Sequence, residues 1–184
     1  SACLVGSEMC IRDRAEPIEL TVIGTAAYRA SKLTTAETAW RQAANKDPKA
    51  AANLGILLAE QGDLEGAKAA YQCAIDSGYA EEAPRAALNL GNLFLDQGDL
   101  EGAKAAYQWA IDSGHVEEAP KAARNLGNLF LDQGDLEGAK AAYQCAIDSG
   151  HTEEAPKAIY SLGLVLEKQG DLEGAKAAYR RAID

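Results

Sequence analysis

Apolar residues recur along this chain with the period of a helix, and the helical stripes themselves recur every 36 residues. Ala87, Leu90, Gly91 and Phe94 stand at i, i+3, i+4 and i+7, one face of an α-helix. Pro84 fits in its first turn, where early N–H groups lack partners, and Glu81 and Glu82 precede it at the positive end of the helix dipole. Gln97-Gly98 then supplies a residue free to take positive φ, and Asp99 is placed to cap the next helix. Leu100, Ala103, Ala106, Tyr107, Ala110 and Ile111 form the apolar face of that second helix, which Ser113-Gly114 ends. The pattern predicts an antiparallel helix pair with short connections.

This pair is one of a series. Pro48, Pro84, Pro120 and Pro156 are 36 residues apart, and residues 120–155 differ from 84–119 only at positions 121, 124, 145 and 152. Fifteen of the 17 glycines fall at repeating positions. Such a period signals an all-α solenoid, in which no unit buries its apolar face alone and stacked neighbours share one core. Repeats are expected at 48–83, 84–119, 120–155 and 156–184. Ile23-Gly24, Ala36, Trp40 and Ala43 keep the same mutual offsets, so 16–47 is expected to be a divergent first unit, giving about five pairs.

The order Leu90-Gly91, Phe94, Ala103, Tyr107, Ala110, repeated as Leu54-Gly55, Leu58, Ala67, Tyr71, Ala74, resembles the tetratricopeptide repeat. The usual unit of that family is about 34 residues, and its early tryptophan is here Ala51, Ala87 or Ala123. Ala-Ile-Asp-Ser-Gly-His also resembles the turn of Sel1-like repeats, and units of this length are similar to those of bacterial, notably actinobacterial, proteins. The resemblance implies a right-handed α-solenoid acting as a protein-interaction scaffold, with a concave groove for peptides lined by the first helix of each pair.

Composition changes the picture in three places. Hydrophobic residues make up 47% but aromatics only 6%, because small alanine and glycine faces do much of the packing. The net charge of −10 disfavours nucleic acid, and no apolar run is long enough to span a bilayer, so neither nucleic acid nor membrane is expected as a partner and a cytoplasmic setting is the working expectation. Residues 3–14, CLVGSEMCIRDR, show no relation to the repeat and resemble a sequencing-library adapter translated in frame, so 1–15 are set apart as non-native or disordered. On that reading the chain is a metagenomic fragment, a piece of a longer array. Cys73 and Cys145 occupy equivalent positions two repeats apart and are expected to be reduced thiols.

No catalytic, metal or cofactor constellation emerges. His115 and His151 lie in inter-repeat turns where Tyr79 stands in an earlier copy, and turn polarity explains them. The segment DQGDLEG lacks the alternating oxygen ligands of a calcium loop, so capping by Asp63, Asp99, Asp135 and Asp171 accounts for it.

One polar stripe remains on the first helices. Arg85, Leu88, Asn89 and Asn92 recur as Lys121, Arg124, Asn125 and Asn128; the flanking copies carry Lys49, Ala52, Asn53, Ile56 and Lys157, Tyr160, Ser161, Leu164. By the family resemblance this stripe lines the groove. The candidate peptide-binding residues are Lys49, Asn53, Arg85, Asn89, Asn92, Lys121, Arg124, Asn125, Asn128, Lys157 and Tyr160. A carboxamide both donates and accepts, so one asparagine per repeat can pair with a ligand's backbone, or with the adjacent repeat instead. Asn92, Asn125 and Lys157 match part of the family's carboxylate clamp, but Leu88 and Ser161 stand where it needs basic residues. The row Lys49, Arg85, Lys121, Lys157 favours an acidic ligand segment. Alternative expectations are a regulatory array of a larger signalling enzyme, or a solenoid that self-associates end to end through uncapped repeats.

Overall fold

The computed structural model describes residues 16–183, which hold ten helices and no strand. In chain order they are α1 (Pro17–Arg29), α2 (Leu33–Ala43), α3 (Pro48–Glu60), α4 (Leu64–Asp76), α5 (Glu82–Asp96), α6 (Leu100–Asp112), α7 (Glu118–Asp132), α8 (Leu136–Asp148), α9 (Glu154–Lys168) and α10 (Leu172–Arg181). The expectations for residues 1–15 fall outside the described residues, as does residue 184 of the last expected repeat. The chain divides into two compact units, the first ending at Ala86 and the second beginning at Ala87, within α5.

In the first unit, α1 packs on α2 and α3 on α4. The glycine on each first helix is what lets an aromatic ring close the pair. A Cβ on Gly55 would stand 2.5 Å from the Tyr71 ring, and one on Gly24 would stand 2.5 Å from Trp40 Nε1. Tyr71 and Trp40 are buried, and an aromatic side chain of this kind buries on the order of 150–250 Å². The turn between α3 and α4 closes with the Asp63 N–H donating to the Leu58 carbonyl at 2.9 Å, after which Asp63 Oδ1 accepts from the Gly66 N–H at 3.0 Å. The divergent first pair keeps this closure: the Lys32 N–H donates to the Ala27 carbonyl at 2.9 Å, and Ser31 takes the positive φ of 56° that Gly62 takes at 82°. Here a serine tolerates what glycine does more cheaply.

The second unit repeats the device. Gly91, Gly127 and Gly163 abut Tyr107, Tyr143 and Tyr179, and Asp99, Asp135 and Asp171 cap α6, α8 and α10 through the N–H groups of Gly102, Gly138 and Gly174 at 2.9 Å. Ala103, Ala110, Ala122, Ala123, Ala139 and Ala146 are fully buried, so backbones approach closely and the tyrosine rings fill what space is left.

The starts of the first helices depart from the sequence expectation. α3 opens on Pro48 with Asp47 accepting from the Lys49 N–H at 3.0 Å, whereas α5, α7 and α9 begin two residues before their proline, so Glu82 lies inside the helix. In α5 this extra turn forms with Tyr79 ahead of it, the Ala83 N–H donating to the Tyr79 carbonyl at 2.9 Å, and in α7 and α9 a histidine side chain caps it as well. His115 Nδ1 accepts from the N–H groups of Glu117 and Glu118 at 3.2 and 3.1 Å, the Ala119 N–H donates to the His115 carbonyl at 3.0 Å, and Pro120 has no N–H to satisfy. His151 repeats this at Glu153 and Glu154, both at 3.2 Å. These residues are helix caps as well as turn residues.

Candidate functional site

The stripe predicted on the first helices lies on α3, α5, α7 and α9, and its asparagines are half-buried. Most of their amide groups are engaged inside the chain. In the second unit, Asn92 Oδ1 accepts from the Tyr107 hydroxyl at 2.7 Å and from Asn125 Nδ2 at 3.1 Å, which ties α7 back to α5. Asn128 Oδ1 accepts from the Tyr143 hydroxyl at 2.7 Å. Burial pushes the Tyr107 phenol up to about 12, so near neutrality the hydroxyl keeps its proton and remains a donor. In the first unit, Asn53 Oδ1 accepts from Arg85 Nη2 at 3.3 Å. Among the described residues the Asn89 amide has no hydrogen-bond partner.

The basic row is largely neutralised by a row of glutamates one helical turn earlier. Arg85 pairs with Glu82 at 2.5 Å, Lys121 with Glu118 at 3.3 Å and Lys157 with Glu154 at 2.8 Å, each at i, i+3. Glu154 also holds Arg124 across the α7–α9 packing at 2.5 Å and is only 4% exposed. Burial on its own raises the Glu154 carboxyl, but the hydrogen bonds from Lys157 and Arg124 and their charges outweigh it and hold the group below the ordinary carboxylate range. Lys49 is the exception. The residue at its i−3 position is Lys46, and among the described residues Lys49 has no ion-pair partner. Tyr160 is exposed and packs on the Tyr179 ring at 5.3 Å between centroids. Leu88, at the position of Arg124, is buried and so takes no part in a polar surface.

The geometry therefore brings the asparagines together with tyrosine hydroxyls and with one another, and the cations together with glutamates. The stripe as read from sequence leaves those partners out, although the i, i+3 spacing of Glu82–Arg85, Glu118–Lys121 and Glu154–Lys157 is a signal that marks the ion pairs. The tyrosine hydroxyls cannot be assigned from spacing, because Asn92 and Tyr107 lie on different helices.

The cysteines and histidines are placed as follows. Cys73 and Cys145 are free thiols; Cys145 is exposed, and burial of its sulfur followed by the carboxylates of Asp148 and Asp112 raises its pKa, which makes it a poor nucleophile. The His151 Nε2 lies 3.1 Å from Glu117 Oε2, and that hydrogen bond and the imidazole's charge hold the Glu117 carboxyl below its usual range. Among the described residues no group of three or more His, Cys, Asp or Glu side chains is placed to hold a metal ion, and no helix is long and apolar enough to cross a membrane.

The chain is similar in fold to BtubC from P. vanneervenii, with a TM-score of 0.69 at 20% identity over 89% of this chain and 77% of that one. A MamA protein matches with a TM-score of 0.72 at 21% identity, over 91% and 90% of the two chains. PilF of Pseudomonas aeruginosa matches with 0.70 at 20% identity, over 92% and 75%. A search of curated proteins found no match in sequence. The tetratricopeptide repeat model matches residues 21–87, 52–114, 88–150 and 124–184, overlapping windows that run through both units. With its all-α repeats, glycine–aromatic closures and those matches, the chain belongs to the tetratricopeptide repeat family.

Proposed function

We propose that this chain is a protein-interaction module without catalysis of its own, binding extended peptide of a partner on the face that the first helices build within each unit. The observation that carries this reading is the recurrence on that face of half-buried carboxamides, Asn53, Asn89, Asn92, Asn125 and Asn128, beside the cations Lys49, Arg85, Lys121, Arg124 and Lys157 and the exposed Tyr160, whereas the recurring carboxamides of the second helices, Gln72, Gln108 and Gln144, are exposed. Amides in this setting retain capacity that internal bonds do not use. Asn125 donates to Asn92 through Nδ2, which leaves its Oδ1 for a ligand N–H, and Asn92 accepts twice through Oδ1, which leaves its Nδ2 for a ligand carbonyl. A peptide backbone supplies both groups.

The test is selection of a displayed peptide library on the full chain, followed by affinity measurement on an Asn89→Ala, Asn125→Ala double variant. The reading expects at least a tenfold loss of affinity, since two ligand hydrogen bonds at about 1 kcal/mol each correspond to more than one decade. Unchanged affinity would reject the asparagines as ligand contacts. Failure of any peptide to be selected would count against the interaction face itself.

A further inference from the structure

The glycine–aromatic closures align the first pair with the later ones: Gly24 on Trp40 corresponds to Gly55 on Tyr71. In that register the stripe residues Lys49, Ala52, Asn53 and Ile56 of α3 correspond to Ile18, Thr21, Val22 and Thr25 of α1. The two positions that hold a cation and an asparagine in α3, α5 and α7 are therefore isoleucine and valine in α1. Ile18 is 72% and Val22 64% exposed, and no other described element covers them. Together with Thr21, Thr25 and Ala26 they form the wall of a hollow of about 270 Å³ between α1 and the start of α3, wholly inside the first unit.

Two cations and one anion stand in the lining. Arg29 and Lys49 line the hollow, and among the described residues neither has an ion-pair partner. Asp47 is the one carboxylate there, and its oxygens are already used: Oδ2 accepts from the Thr21 hydroxyl at 2.5 Å and Oδ1 from the Lys49 N–H at 3.0 Å. This contrasts with Arg85, Lys121 and Lys157, each held by a glutamate of its own helix. In a chain of net charge −10, an exposed apolar strip between two unneutralised cations is a local reversal of the surface field.

We infer that the hollow formed by Ile18, Val22, Arg29 and Lys49 is the anchor point for an acidic amphipathic peptide segment of a partner protein, with its apolar side chains on Ile18 and Val22 and its carboxylates on Arg29 and Lys49. The inference rests on the interaction-module reading above and narrows it, because it moves the preference for acidic ligands from the whole basic row to its first member and to α1. Apolar burial supplies affinity there, and the two cations select against basic and neutral segments.

The experiment is fluorescence polarisation with the full chain and a short fluorescein-labelled amphipathic peptide of leucine and glutamate, beside the same peptide with lysine replacing glutamate. The acidic peptide is expected to bind and the basic one to bind at least tenfold more weakly, with the difference shrinking at high salt. Arg29→Glu with Lys49→Glu should reverse that preference, while Lys140→Glu, an exposed position on the second helix α8, leaves it unchanged. Lys46→Glu, which puts a carboxylate three residues before Lys49 in the turn ahead of α3, should weaken acidic binding without changing the residues of the hollow. Circular dichroism of each variant confirms that it is folded, and Arg29→Gln with Lys49→Gln provides a milder pair should the reversal variant unfold. Equal binding of the two peptides overturns the inference. So does loss of binding in Lys121→Glu but not in the Arg29, Lys49 variant, although that result leaves the interaction face standing. A dimer in sedimentation that the double variant abolishes would assign the hollow to a second copy, and faster hydrogen exchange across residues 1–15 in the double variant would assign it to the chain's own leading segment; either overturns a partner's peptide. If the acidic peptide fails to bind while the library yields other ligands, this anchor is wrong and the face is retained; if both fail, both are wrong.

Discussion

The first unit and the second are built by the same local rules and differ in what they do with charge. In both, a glycine on the first helix meets an aromatic ring on the second, and a tight turn with positive φ hands over to the next helix. Yet the second unit pairs Lys121 and Lys157 with glutamates and Asn92 and Asn128 with tyrosines, whereas the first, although it pairs Arg85 with Glu82, leaves Arg29 and Lys49 without an ion-pair partner among the described residues and has Ile18 and Val22 at polar stripe positions. The lesson is that the backbone-setting positions of a repeat are few, and the surface between them is free to be either self-satisfied or open. A self-satisfied stripe rigidifies neighbouring helices; an open one is available to a partner.

The shared closure is the feature whose loss should cost most. Gly127→Leu drives a side chain into the Tyr143 ring, where even a Cβ would stand 2.5 Å away, and a loss of about 3 kcal/mol in urea unfolding is expected. Gly24→Leu should behave alike against Trp40, since the two units use one device. A cost below about 1 kcal/mol at either site would mean that the closures are not equivalent.

Next comes the ion cluster particular to the second unit. Removing the buried Glu154 carboxylate leaves Arg124 and Lys157 facing each other, and Glu154→Ala should cost about 2 kcal/mol, below the full value for a buried pair because both cations are partly exposed. Glu118→Ala, which releases Lys121 alone, should cost less than about 1 kcal/mol. Because Glu154 is held below its unfolded pKa, its contribution is fully present above the usual carboxylate range and is lost as pH falls through the lower folded value. The acid limb of stability should therefore flatten in Glu154→Ala but not in Lys46→Glu.

A smaller effect separates the tyrosines. Asn92→Ala removes the acceptor of the Tyr107 hydroxyl and the tie to Asn125, and should cost about 1–2 kcal/mol by thermal unfolding. The matching position of the first unit is already Ile56, so Ile56→Ala should cost only what its partly buried side chain contributes. Least of all, Lys46→Glu should shift stability by no more than about 0.5 kcal/mol, as a substitution at an exposed turn position does, and so isolates its effect on binding from any effect on folding.

Much of this fold is legible in the sequence because its signals are local. The recurrence of Gly98, Asp99 and Gly91 states where a helix stops, what caps the next and where a ring fits. The site is less legible because its meaning depends on neighbours from other helices. Asn92 and Asn125 read as peptide-binding residues in sequence, and in the structure they bond each other while Asn92 also accepts from Tyr107. Lys157 reads as part of a basic row until the depth of Glu154 shows how much of its charge is taken up. His115 and His151 read as turn polarity, and only their geometry reveals that they replace the aspartate cap of α3. The hollow joins Ile18, Val22 and Arg29 of α1 to Lys49 of α3, and no single repeat contains all four.

The most direct test of the account is hydrogen exchange of the full chain with and without a peptide selected from the library. Bound peptide is expected to slow exchange on the first helices, α1, α3, α5, α7 and α9, most strongly across α1 and the start of α3, with the second helices unchanged. Protection confined to α2, α4, α6, α8 or α10 would contradict it.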